Sequence, residues 1–205
     1  MTDALCDAIL DRLGRCQLQS EPWEHVEQRD FLSQQAADLL AESFLEVALD
    51  RHERADGEKH YRLCNHMLPS CFEWPTRPWQ RIANFLQGPD YRSALERLTG
   101  RRLDGRVTLN MWAYHPGDWL GPHLDKVGKQ ISQIFYLTPE WTPADGGRLA
   151  MLASETLSSV VRYVPPLHGS IFIFTRCEGS WHAVEPVSPG GAVRRSMTLN
   201  YWSDP

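Results

Sequence analysis

Long apolar runs are missing from this 205-residue chain. A helix that crosses a membrane needs roughly 18 to 20 consecutive apolar residues, so none is expected. The first residues, Met1-Thr-Asp-Ala-Leu-Cys-Asp7, lack the basic segment that opens a secretory signal. Cysteine is sparse and irregularly spaced: Cys6, Cys16, Cys64, Cys71 and Cys177. The odd number and the lack of any Cys-x-x-Cys argue against a disulfide framework and against a zinc knuckle. Reduced thiols fit a cytoplasmic protein. Clustered basic charge is missing too. Residues 61–205 carry 15 bases against 12 acids, scattered along the chain, which is not the stripe that binds nucleic acid. The first 60 residues carry 14 acids against 6 bases and read as solvated helix faces. No repeat, linker or low-complexity segment divides the chain.

What is present is ordinary for one globular domain: 42% apolar and 23% charged residues, and enough length for a single well-filled core. The first hundred residues are mainly helical by pattern. Residues 3–16 carry Leu5, Ile9, Leu10 and Leu13 at helical spacing. Ser33 caps a helix over Gln34–Asp50, with Ala36, Ala37, Leu40, Phe44, Leu45 and Ala48 as its buried stripe. Residues 51–60 are charged, contain Gly57, and read as a loop or lid. A strand follows at Tyr61–Leu68, then a Pro-punctuated loop from Pro69 to Pro78 with Trp74. Helices follow over Trp79–Gln87 and Asp90–Thr99, the second closed by Gly100.

From Val107 onward the period changes from helical to alternating. Strands are expected at Val107–Tyr114, Ile131–Leu137, Arg148–Leu152, Ser159–Val164, Ser170–Phe174 and Arg194–Trp202. Helices first and strands after imply an α+β fold. Many short strands are best closed as a double-sheet jelly roll.

The chemistry centres on Trp112-Ala-Tyr-His-Pro-Gly-Asp-Trp-Leu-Gly-Pro-His-Leu-Asp125. It ends in His123-x-Asp125. On a strand, residues two apart share a face, so an imidazole and a carboxylate stand side by side. That is two-thirds of the 2-His-1-carboxylate set that holds Fe(II) with open positions. A third ligand, His182, follows the apolar run Ile171–Phe174. The last strand has a polar face of Arg194, Ser196, Thr198, Asn200 and Trp202, opposite Arg195, Met197, Leu199 and Tyr201. A barrel with a polar interior is where an inward arginine grips a carboxylate. His25-x-Glu27 is a rival metal pair on paper, but no distal histidine and arginine strand follow it at a suitable distance.

His123-x-Asp125, His182 and Arg194-x-Ser196, in this order, resemble the Fe(II)/2-oxoglutarate-dependent dioxygenases, and within them the prolyl 4-hydroxylase-like branch. Tyr114-His-Pro-Gly ahead of His123 is similar to that branch's Tyr-x-Pro-Gly. Tyr136-Leu…Gly146-Gly147-Arg-Leu149 is similar to its Tyr-Leu…Gly-Gly-x-Leu. The resemblance covers residues 107–202. It implies a double-stranded β-helix with the N-terminal helices packed on one sheet. One domain over 1–205 is expected, with 1–100 as support and 107–202 as catalytic core. It implies Fe(II) on His123, Asp125 and His182, with 2-oxoglutarate and O₂ as co-substrates. It also implies Arg194 and Ser196 on the far carboxylate of 2-oxoglutarate, with Tyr136 and Tyr114 beside it. Arg195 remains the alternative to Arg194, because strand register can slip by one.

The implied reaction is hydroxylation of an unactivated C–H with release of succinate and CO₂. Asp125 favours hydroxylation over halogenation, since related halogenases lack the carboxylate. The expected substrate is a small molecule or an amino-acid-like group, with peptidyl or protein prolyl hydroxylation as the alternative. A non-catalytic metal- or 2-oxoglutarate-binding jelly roll is the second alternative. Trp112, Trp119, Arg148 and Trp181 are candidates for the substrate pocket or its rim.

Overall fold

The computed structural model describes residues 2–44, 49–55, 59–68 and 76–203. Its helices are α1 (Thr2–Arg15), α2 (Gln34–Phe44), α3 (Arg77–Leu86) and α4 (Pro89–Thr99). Its strands are β1 (His25–Gln28), β2 (Asp50–Arg54), β3 (Tyr61–Leu68), β4 (Val107–Tyr114), β5 (Trp119–His123) and β6 (Lys129–Tyr136). They continue as β7 (Leu149–Leu152), β8 (Val160–Val164), β9 (Ile171–Thr175), β10 (His182–Val184) and β11 (Arg194–Trp202).

All pairings are antiparallel, in the order β1-β9-β6-β11-β4-β3-β5-β10-β7-β8, with β2 paired to β3. Strand β3 joins two faces of this sheet. Its residues Cys64–Leu68 pair with β4, and Tyr61 and Arg62 pair with β5. The five strands before β3 and the four after it form the two faces of a nearly closed jelly roll.

Alternation explains how one sheet serves two interiors. On β4, β6, β9 and β11, the residues Leu109, Met111, Ile131, Phe135, Ile171, Ile173, Met197, Leu199 and Tyr201 point outward. They pack with Ile9, Leu13, Leu40, Trp79, Ile82 and Leu95 of the four helices. The opposite residues of the same strands point between the two faces. Ile134, Tyr136, Phe172 and Phe174 meet Leu149, Met151 and Val164 there. Buried hydroxyls in the helix–sheet layer find acceptors: Tyr91 donates to Gln133 Oε1 at 2.7 Å, and Tyr201 to the Leu86 carbonyl at 3.0 Å. The expected supporting role of the first hundred residues is extended, since β1, β2 and β3 also come from them.

Two expectations are corrected. The charged segment from Arg51 is not wholly loop, because Asp50–Arg54 pairs with Asn65–Tyr61 as strand β2. All five side chains of β2 are exposed, so it has no apolar half to alternate with. Backbone pairing alone makes it a strand, and its charges protect a sheet edge. Helix α2 ends at Phe44 in the described residues, and Asp50 already belongs to β2. Its start is as read: the Ala36 N–H donates to Ser33 Oγ at 3.3 Å. Leu45, Ala48, Gly57, Trp74 and most of the Pro69–Pro78 loop lie outside the described residues.

The β2–β3 hairpin is fastened to the turn before β5. Asp118, fully buried, accepts from Arg51 Nη2 at 2.8 Å, Arg51 Nη1 at 3.2 Å, Arg62 Nε at 3.2 Å and the His115 N–H at 2.9 Å. Arg62 also donates to the Gly117 carbonyl.

Leu199 is fully buried where β11 meets the helices. Leu199→Ala is expected to cost about 2–5 kcal/mol, read as a lower urea midpoint with an unchanged slope. Val161, 55% exposed on edge strand β8, is the control: Val161→Ala should stay within about 0.5 kcal/mol of wild type.

Candidate metal centre

The sheet register places two histidines directly across from each other. His182 on β10 faces His123 on β5, and on its other side pairs with Met151 of β7. Opposed residues in an antiparallel pair stand roughly 5 Å apart at Cβ, and here the two ring centroids are 4.1 Å apart. The side chain of Asp125 completes the group. One ligand atom from each of His123, Asp125 and His182 lies within 4.8 Å of the others, and all three residues are buried. Asp125 is not on the strand, which ends at His123. The same-face argument named the residues that the structure groups, but the aspartate reaches the group from the coil just past the strand end.

Each ligand is aimed by a second contact, as metal ligands generally are. The His123 Nδ1 is 2.9 Å from the Gly121 carbonyl, and the His182 Nδ1 is 2.9 Å from the Ser180 carbonyl. A carbonyl only accepts, so each Nδ1 carries the proton and each Nε2 is left as a lone pair. Burial pushes His123 well below the usual imidazole value, helped by His182 and Lys59. Burial also lowers His182. Both rings are therefore neutral at pH 7, the form that binds a metal. Asp125 accepts from Lys129 Nζ at 2.9 Å on Oδ1 and from Ser132 Oγ at 2.6 Å on Oδ2. Burial opposes its ionisation, but the Lys129 ammonium together with His182 and His123 outweighs that and holds the carboxyl well below the ordinary range.

The cavity beside this trio runs between the two faces of the jelly roll. Arg194, Ser196, Thr198 and Asn200 of β11 line it, as do Trp112 and Tyr114 of β4 and Ser132 and Ile134 of β6. The polar face of β11 read from alternation is thus the inward face. Arg194 is buried, its Nη1 donates to Ser196 Oγ at 3.3 Å, and its Nε has no partner. Its guanidinium carbon lies 4.8 Å from the ring centroid of Tyr114 and 5.2 Å from that of Tyr136. The Tyr136 hydroxyl is also buried without a partner. Burial raises both tyrosines to about 12, so both stay protonated and can donate. A buried guanidinium and a buried hydroxyl, each with an unused donor, suit an incoming carboxylate. Arg195 lies on the other face of β11, half-buried, where its backbone bonds Thr138.

The substrate candidates are dispersed. Trp112 lines the cavity and donates to Thr198 Oγ1 at 2.9 Å. Arg148 is paired with Glu185 at 2.5 Å, with its guanidinium 4.1 Å from the ring centroid of Tyr163. Trp181 packs on Ala150, Leu152 and Ala183. Neither Arg148, Trp181 nor Trp119 is among the residues lining the cavity. The rival pair also separates: His25 Nδ1 bonds the Trp23 carbonyl at 2.8 Å, while Glu27 pairs with Arg162. The sequence reading missed Lys129, Ser132 as a partner of Asp125, and Lys59, which lines the cavity from the loop after β2. Lys129 had a signal, its position four residues after Asp125. Lys59 had none.

The family model of the 2OG-Fe(II) oxygenase superfamily matches residues 109–202. The chain is 25% identical over 204 residues to prolyl 3-hydroxylase OGFOD1 of Xenopus laevis, a match that covers 91% of this chain and 36% of that protein. It therefore spans about a third of that relative's length. A prolyl-4-hydroxylase of Pseudomonas putida is similar in structure, with a TM-score of 0.67 at 21% identity, over 98% of this chain and all of that one. A prolyl hydroxylase of Trichoplax adhaerens, solved with a hypoxia inducible factor peptide fragment, has a TM-score of 0.69 at 17% identity, over 98% of this chain and 90% of that one. No described helix is long and apolar enough to cross a membrane. With its His-Asp-His trio inside a double-stranded β-helix, the chain is similar over residues 109–202 to the 2OG-Fe(II) oxygenase superfamily.

Proposed function

We infer that this enzyme hydroxylates proline in a peptide or protein, acting in the cytoplasm. The observation that carries this reading is the similarity over 91% of the chain to a prolyl 3-hydroxylase. The sequence alone favoured a small free substrate; the comparisons support the peptidyl alternative better. The four described free cysteines suit a reducing compartment.

In this reading His123, Asp125 and His182 hold the iron. Lys129 and Ser132 keep Asp125 anionic and oriented. Arg194 binds the far carboxylate of 2-oxoglutarate, with Tyr136 donating to the same group, Ser196 orienting the guanidinium and Tyr114 walling the position. Bound iron and 2-oxoglutarate, with O₂ as the oxidant, would supply the chemistry that hydroxylates an unactivated C–H and releases succinate and CO₂, one oxygen atom going to each of the substrate and succinate. The protein contributes an apolar wall opposite the polar strands, made by Leu120, Leu149 and Val184, with Phe174 of β9 beside them. Trp112 stands on the polar side, its indole N–H already engaged by Thr198, and so offers the substrate its ring face.

Anaerobic titration with Fe(II) and 2-oxoglutarate should give the visible metal-to-ligand charge-transfer band in wild type and none in His182→Ala. Arg194→Ala should keep iron and weaken 2-oxoglutarate about ten- to hundredfold, the worth of a charged hydrogen bond, while Arg195→Ala leaves it near wild type. Equal losses in both arginine variants would remove the assignment.

Metal affinity should depend weakly on acid. Two ordinary imidazoles, with pKa about 6.5, lose about a hundredfold in metal binding by pH 5.5, since each must shed a proton. Both histidines here are lowered, so they remain neutral further down the pH scale. Mn(II) affinity should fall less than about tenfold between pH 7.5 and 5.5; a hundredfold fall would show that the rings are ordinary.

Substrate class is tested by succinate formation. Proline-containing peptides should stimulate it and gain 16 Da, while free amino acids should not. Stimulation by free amino acids alone would return the enzyme to the small-molecule reading.

A further inference from the structure

The cavity is unevenly charged. Among the described residues that line it, Lys59, Lys129 and Arg194 are cations and Asp125 is the carboxylate. The two charges of Fe(II) and the two of 2-oxoglutarate cancel, so loading the site leaves the positive excess in place. Two of the three cations are engaged. Lys129 bonds Asp125 and lies 5.5 Å from the ring centroid of Trp202. Arg194 stands between two tyrosine rings with Ser196. Lys59 makes no hydrogen bond or ion pair among the described residues, although it is half-buried in the cavity wall. Burial lowers its ammonium to about 8, with Lys129 and Lys126 adding to the effect and Asp125 opposing it. It is still largely charged at pH 7, and its charge is only partly solvated.

The backbone beside Lys59 is held. The next residue, His60, accepts from the Gly121 N–H at 2.8 Å, on the strand that carries His123. The approach is close: a Cβ on Gly121 would stand 3.2 Å from the His60 carbonyl oxygen. Behind the loop, Arg51 and Arg62 clamp the hairpin to buried Asp118. A cation without a partner among the described residues, next to the anchored His60 backbone, in the wall of a reaction cavity, is arranged for an anion that arrives from outside.

We propose that Lys59 is a specificity residue that binds a carboxylate of the substrate, so that the enzyme selects peptides with an acidic residue next to the target proline. This rests on the prolyl reading above. It makes Lys59 a reader of the substrate and leaves iron and 2-oxoglutarate to the residues already named.

The test compares peptides of one sequence that carry Glu, Gln or Lys beside a single proline. Binding is measured without turnover, on enzyme loaded with Mn(II) and an unreactive 2-oxoglutarate analogue, and KM and kcat are measured separately on the Fe(II) enzyme. Wild type should bind the Glu peptide about tenfold or more tighter than the Gln peptide, with the Lys peptide weakest. Lys59→Met should lose that preference through KM while its affinity for the analogue is unchanged; Lys59→Arg should retain it. Thermal unfolding of each variant checks that the fold is kept. The proposal is overturned if wild type shows no Glu preference, or if Lys59→Met keeps it. It is equally overturned if Lys59→Met loses the analogue, which would place Lys59 on the co-substrate. If no proline peptide binds or reacts, the prolyl reading fails. N-acetylglutamate against N-acetylglutamine in the same binding assay then decides the role of Lys59, which stands only if the acid is preferred and Lys59→Met abolishes the preference.

Discussion

The metal centre depends on one cross-strand pair. His182 lies opposite His123, and β10, only three residues long, is paired on both sides. Neither histidine could be moved by one residue without turning its ring to the other face of the sheet. Pairing with β7 and β5 therefore supplies the rigidity that so short a strand lacks. The two Nδ1–carbonyl bonds then fix ring rotation. Asp125 needs a different means, because it stands beyond β5. Lys129 and Ser132, both on β6, take one carboxylate oxygen each. The ligand set thus comes from two strands and a coil, with β6 bracing the coil.

A polar cavity inside a jelly roll costs apolar burial, and the fold offsets this by keeping its two interiors apart. The helix-facing side of the large sheet face is continuous and apolar, filled by residues of β4, β6, β9 and β11. The inward side of the same strands is free to carry Asn110, Ser132, Ser196, Thr198 and Asn200. These residues satisfy much of one another's hydrogen bonding. Thr198 Oγ1 is bonded by Trp112 and by Asn110, and Asn200 reaches Thr108. Besides the Asn110 Oδ1 acceptor, the groups left over here are two donors, Arg194 Nε and the Tyr136 hydroxyl, on neighbouring side chains. Two unused donors side by side at a cavity wall suit a ligand position.

Much of this was legible because alternation is a local property. The strand limits Tyr61–Leu68, Val107–Tyr114 and Arg194–Trp202 were read as they stand. So was the choice of Arg194 as the inward arginine, since Ser196, Thr198 and Asn200 marked the face it shares. The four-helix support was legible from its stripes. What was not legible was set by contacts between distant segments. Strand β2 has no buried side to betray it and exists through its pairing with β3. Arg148 looked available until Glu185, 37 residues away, took its charge. Lys59 sat in a charged run whose ordinary reading is solvent.

The buried ion pair at Asp125 illustrates how such a site can be both poised and stable. An isolated carboxylate at this depth would be costly and would tend to take up a proton. Lys129 prevents that and is itself only lightly exposed. Removing one partner of such a pair is generally worse than having neither, because the other charge is left stranded. A metal ion changes this balance in the site's favour. A bound ion would add two positive charges beside Asp125, while Lys129 and Ser132 keep their hydrogen bonds to it. The same lysine that holds Asp125 in place would thus brace it from outside the ligand set. A cation can stand beside a cation-binding centre in this way because the charge of Asp125 offsets its repulsion of a metal ion.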